Sequence, residues 1–199
     1  MSKTIEKVRV RIKENKKVYI HNDLSNAAYY FRARIRERFK ARDHEGLGHE
    51  VMACLTMIAF AIEANVNFIG SKVMNPWDEA LPTKEKMKLV SQKLGFGADF
   101  GKRPYQTVTE LKQFRDALAH GKPIELTREF EAITTQEELD KSSYLQGEWE
   151  KFVDIEFVER AYKDMQEIWS ELMKMSGLEV FDAITSGGRS IEFIEHVKG

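Results

Sequence analysis

Val8, Val10 and Ile12 alternate with Arg9 and Arg11, and Val18 and Ile20 follow after Glu14-Asn15-Lys16-Lys17. A period of two predicts a small strand pair or an extended arm over residues 1–22. From Asp23, which has the chemistry of an N-cap, the period lengthens. Leu24, Ala28, Phe31, Ile35 and Phe39 recur at three and four residues, predicting an amphipathic helix to about Arg42 with those side chains inside. Gly46 and Gly48 break the chain, and a second helix follows to about Val73, where Asn75-Pro76 ends it. Its middle, Met52 to Phe60, is apolar on every side, as in the central helix of a bundle. A shorter helix begins near Thr83, carries Met87, Val90 and Leu94 on one face and stops at Gly95. Glycines 95, 97 and 101 then mark a loop, and a fourth helix is expected from about Tyr105 to His120, with Val108, Leu111, Phe114 and Leu118 inward. Gly121 and Pro123 close that helix.

Residues 124–153 hold no sustained period and read as an irregular insertion, with a helical turn around Gln136 to Leu139. The last long helix starts at Asp154 and carries a wide apolar stripe from Phe157 through Ile168 to Met173, ended by Gly177. Beyond it, Ile191, Phe193 and Ile194 belong to a tail that is loosely attached or pairs with the N-terminal arm. The expected fold is all-α: a bundle of about five helices with a small N-terminal β-like arm and the irregular 124–153 insertion. It forms a single domain over 1–199, with the core at about 23–177, the arm at 1–22 and the tail at 178–199.

Composition narrows the class. The 199 residues are 42% hydrophobic and 32% charged, enough for a core that buries roughly 70% of the unfolded surface. A single cysteine, Cys54, rules out a disulfide scaffold. The apolar run from Met52 to Ile62 ends at Glu63, short of the roughly 20 residues of a membrane span. Met1 to Lys17 is charged throughout, unlike a signal peptide. A reducing, cytoplasmic setting is therefore expected, with no membrane partner. The net charge of −1 conceals a division: residues 1–42 carry 13 Lys and Arg against 4 Asp and Glu, and residues 43–199 carry 18 against 28. A basic segment on an acidic body points to a polyanionic partner.

Candidate chemistry gathers at the end of the fourth helix, in Arg115-Asp116-Ala117-Leu118-Ala119-His120. On a helix, Asp116 and His120 are i, i+4 neighbours, so the carboxylate is placed to hydrogen-bond the imidazole. Arg115 and His120 lie about 140° apart around the axis, flanking Asp116. One helix presents them as a spread pair, and two such helices about a two-fold axis would bring both pairs into one cleft. The same residues also suit a capped helix end with a surface Arg and an Asp–His pair.

The stretch Phe114-Arg115-Asp116-Ala117-Leu118-Ala119-His120-Gly121-Lys122-Pro123 resembles the signature of the HEPN superfamily: helical bundles marked by an Arg, a polar residue and a His after four to six intervening positions. Asp116 stands where that polar residue is often Asn. The segment Ala61-Ile62-Glu63-Ala64-Asn65-Val66-Asn67 is similar to the long helix on which the family places a Glu and an Asn four apart. The order of elements from Asp23 to Gly177 agrees as well. The resemblance implies metal-independent RNA cleavage, with no cofactor. His120 would move a proton at the ribose 2′-oxygen or the leaving 5′-oxygen, and Arg115 would stabilise the charge on the phosphorane. Glu63 and Asn67 would support Arg115. It further implies a homodimer, an RNA substrate, a toxin or defence role and an antitoxin-like or nucleotidyltransferase-like partner. Other members of the superfamily are non-catalytic nucleotide-binding or protein-interaction modules.

Two further features have paired readings. Glu63, Asn65 and Asn67 interrupt an apolar helix, and Arg115 is the natural partner for Glu63, either aimed by it or joined to it in a structural salt bridge. Arg32, Arg34, Arg36, Arg38, Lys40 and Arg42 spread cations around the first helix. With Lys122 they would grip RNA, or they would pair with the acidic remainder of the chain. His21, His44, His49 and His196 show no zinc-ligand spacing, so no metal site is expected.

Overall fold

The computed structural model describes residues 7–121, 123–140 and 145–197. The chain is mostly helical: β1 (Lys7–Lys17), α1 (Ile20–Lys40), α2 (Leu47–Val73), α3 (Thr83–Lys93), α4 (Gln106–Ala119), α5 (Gln136–Asp140), α6 (Ile155–Ser176) and β2 (Ser186–Val197). Short 3-10 turns at Glu150–Phe152 and Val180–Ala183 complete the described elements.

α2 is the axis of the bundle, and α1, α3, α4 and α6 pack around it. Its length and composition would suit a bilayer crossing, with mean hydropathy 1.6 over the most apolar window, yet half of that window is buried against the other helices. Leu55, Ile58, Ile62, Val66 and Ile69 meet Ile35 of α1, Met87 and Val90 of α3, Leu111 and Phe114 of α4, and Ile168 and Leu172 of α6. Burial of these stripes supplies the main favourable term for the fold. At Gly70 an added Cβ would lie 2.5 Å from ring atoms of Trp77, so the indole sits directly on the helix backbone.

The last helix follows its sequence closely. Asp154 Oδ2 accepts a hydrogen bond from the Phe157 N–H at 3.0 Å, capping α6, and Gly177 ends it at φ 68°, in the left-handed region. α1 departs from expectation at both ends. It starts at Ile20, and its N-cap is Tyr19 rather than Asp23, because the Tyr19 N–H is satisfied by Thr185 Oγ1 at 3.0 Å. Asp23 lies in the first turn, where a carboxylate favours the helix dipole. At the other end Phe39, expected inside, is 51% exposed, its ring centroid 6.1 Å from that of His44 in the turn that leads into α2.

Over Lys7–Lys17 the N-terminal arm is one continuous strand, so Glu14 to Lys17 make no turn. β1 pairs antiparallel with β2 from Lys7↔Val197 to Lys17↔Ser186, with Ile194 the extra residue of a bulge opposite Arg9 and Val10. Arg9–Glu195, Arg11–Glu192 and Glu14–Arg189 ion pairs line the ribbon. The insertion carries α5 where a helical turn was expected, and Phe152 at its end is buried against Phe114 and Phe157.

Candidate functional site

α4 buries Thr107, Val108, Leu111 and Phe114 and turns Arg115 toward α2. Arg115 Nη1 lies 3.1 Å from Glu63 Oε2, and Nη2 lies 3.6 Å from Asp116 Oδ1. The other Glu63 oxygen accepts from Lys86 Nζ at 2.7 Å. Lys86 has no exposed surface and donates also to the Glu79 carbonyl at 3.2 Å. Partial burial pushes the Glu63 carboxyl up, but the Lys86 ammonium, with Thr83 and Arg115, outweighs it and leaves its pKa below the ordinary carboxylate value. One carboxylate therefore ties three helices together at the base of Arg115.

The expected Asp116–His120 hydrogen bond is not formed. Asp116 is taken by Lys112, one turn earlier on the same face, whose ammonium holds its carboxyl below the usual range. His120 is the C-cap of α4 at φ −115°, ψ 15°, off the helical path. Its backbone N–H bonds the Asp116 carbonyl at 2.9 Å, while its exposed imidazole meets no hydrogen-bond partner among the described residues. Arg115 and His120 face different hollows of one chain. The Arg115 hollow is walled by Ala59, Ile62, Thr83, Val108 and Lys112, and the His120 hollow by Ala117, Leu118, Pro123, Trp149 and Phe152.

Glu63 thus meets Arg115, while Asn67 is half-buried, with its Oδ1 shielded and unpaired among the described residues. The cations of α1 mostly face carboxylates. Arg32 Nε lies 3.0 Å from Glu159, with its guanidinium over the Tyr162 ring at 4.6 Å. Arg34 and Arg38 share Glu50 at 3.0 Å each, Arg38 also reaches Asp43 at 2.9 Å, and Arg36 lies 3.6 Å from Glu159. Lys40 and Arg42 make no ion pair among the described residues. Lys122 lies outside those residues.

Two buried ionic centres were not read from the sequence. One is Lys86. The other is Asp164, fully buried on α6, where Arg103 Nη2 donates at 2.7 Å and Nε at 3.0 Å and Thr107 Oγ1 donates at 2.5 Å. Asp164 lies between Ala161 and Met165 on the apolar stripe, and a carboxylate on a buried face is the signal that such a partner exists. Among the described residues no three His, Cys, Asp or Glu side chains cluster as metal ligands would. No protein-family model, curated protein or solved structure gives a significant match to the chain.

Proposed function

We propose that the chain is a HEPN-like, metal-independent endoribonuclease, acting in the cytoplasm as a toxin or defence component, with Arg115 and His120 of two protomers forming one RNA-cleaving cleft. The observation that carries this reading is the end of α4: Arg115 is anchored by Glu63 at 3.1 Å, and one turn on the His120 imidazole, without a hydrogen-bond partner among the described residues, is open to solvent. An imidazole takes the proton of the ribose 2′-hydroxyl as that oxygen attacks phosphorus. The bond to the 5′-oxygen breaks, and that oxygen receives a proton from an imidazolium. The guanidinium bears on the phosphorane oxygens, where charge builds up. The two side chains face different hollows of one protomer, which favours a site completed by a second copy. Lys40, Arg42 and Lys122 would hold the RNA. Arg32, Arg34, Arg36 and Arg38 would have to leave their carboxylates to do so.

The test is product chemistry in excess EDTA. Fragments ending in 2′,3′-cyclic phosphate and 5′-hydroxyl, released by a dimer in light scattering, are expected; other termini, or release by a strict monomer, would contradict the scheme. The second reading is a non-catalytic HEPN-like module that binds a nucleotide or a protein, and the pairing of Asp116 with Lys112 instead of His120 favours it. On that reading Arg115→Ala changes binding or oligomeric state, and there is no cleavage to lose.

A further inference from the structure

Among the described residues β1 and β2 form a sheet of two strands. Val8, Ile12, Ile191 and Phe193 share one face of it and all are exposed. Among the described residues β1 pairs only with β2, so its other edge is open along Lys7–Lys17. A lone two-stranded ribbon is marginal in water, and a free edge is a template for another strand.

A segment with matching chemistry lies elsewhere in the same chain. Residues 124–132 are exposed and in no helix or strand, and they make no backbone hydrogen bond to the described residues. Ile124, Leu126 and Phe130 alternate with Glu125 and Glu129, and Phe130 is 62% exposed. This is an acidic strand pattern without a sheet, opposite a basic edge without a strand.

Among the described residues no backbone hydrogen bond joins the two within one molecule, and they are rooted toward opposite ends of α2. Ile124 borders the His120 hollow with Trp149, and Trp149 also borders a hollow with His49 near the start of α2. The ribbon instead springs from the far end of α2, where Tyr19 and His21 stack on Phe68 at 4.9 and 4.6 Å. From His49 to Phe68, at 1.5 Å per residue, is roughly 28 Å.

We propose that residues 124–132 of one copy add as a third, antiparallel strand to the free edge of β1 in a second copy. One register sets each charge of the segment beside an opposite one, Glu131 by Arg11, Glu129 by Lys13, Glu125 by Lys17 and Arg128 by Glu14, with Phe130 on Ile12, Ala132 on Val10 and Leu126 along the Lys16 stem. Main-chain hydrogen bonds give such an addition its affinity, and the alternating side chains give it its register. An apolar face beside a backbone edge suits a strand better than a phosphate chain. The contact uses the ribbon and the insertion, so it does not depend on the ribonuclease reading.

The test titrates an end-blocked synthetic peptide of residues 124–132 into the full chain, following the β1 amide signals by NMR. The wild-type peptide is expected to shift signals of Lys7–Lys17. A Glu129→Lys peptide is expected to bind about fivefold more weakly or worse, and to regain affinity on a Lys13→Glu chain. In sedimentation, Phe130→Asp in the full chain weakens self-association by about tenfold, with the helical circular dichroism signal unchanged. A wild-type peptide that leaves β1 unshifted, binding indifferent to the charge exchange, or β1 signals that move only with an RNA oligonucleotide would each overturn the proposal.

Discussion

The carboxylate of Glu63 lies 2.7 Å from the ammonium of Lys86, a side chain with no exposed surface, and the same carboxylate anchors Arg115. Removing the negative charge leaves a buried ammonium with neutral acceptors, the Glu79 carbonyl among them, and no counter-ion among the described residues. Glu63→Gln should therefore destabilise the fold by about 3 kcal/mol in urea unfolding, whereas Lys86→Met, which removes the stranded charge itself, should cost less. Since Glu63 titrates below its ordinary value, its stabilisation is present above the unfolded carboxylate pKa. It disappears as the pH falls through the lower folded value.

Asp164 is the second such centre. Two Arg103 nitrogens and the Thr107 hydroxyl converge on it with no surface exposed, fixing the loop before α4 to α6. Asp164→Asn keeps the shape but loses the charge that strengthens these hydrogen bonds, while the half-exposed Arg103 guanidinium is left to solvent, and should cost about 2 kcal/mol in the same measurement. Arg115 and His120 lie at the other end of α4, so their chemistry should be less affected than the midpoint of unfolding.

His21 adds a second pH dependence of the same sign, stability again falling on acidification, here because the buried ring favours its neutral form. Burial among Tyr19, Phe68 and Trp169 pushes its imidazole below the ordinary 6.5, against weaker opposing effects of the Ala183 backbone and Asp23. As the pH falls below about 6.5 the unfolded chain takes up this proton first, so stability is full above that value and declines until the folded pKa is reached. Comparing urea midpoints at pH 7.5 and 5.5, His21→Phe should lose less stability on acidification than the wild type.

The elements were legible where one physical signal dominated. The α6 stripe, its Asp154 cap and its Gly177 stop each appear in the sequence as local chemistry, and the pairing of Arg115 with Glu63 followed from a carboxylate in an apolar helix. The start of α1 was not legible, because the group that satisfies the Tyr19 N–H is Thr185, at the opposite end of the chain. Lys86 was hidden for a related reason. It precedes Met87 on a short helix rich in lysines, and only the position of Glu63 across the bundle makes it an interior residue. The Asp116–His120 bond failed because two neighbours one turn away competed for one carboxylate, and the flexible ammonium of Lys112 prevailed over an imidazole at a helix terminus.

The central claim rests on His120 as a proton carrier at an RNA phosphate. Its most direct test is the initial rate of RNA cleavage in excess EDTA by the wild type and by His120→Ala at matched concentrations of folded protein. A wild-type rate at least about 100-fold above that of the variant is expected; equal rates, or no cleavage by either protein, would contradict it.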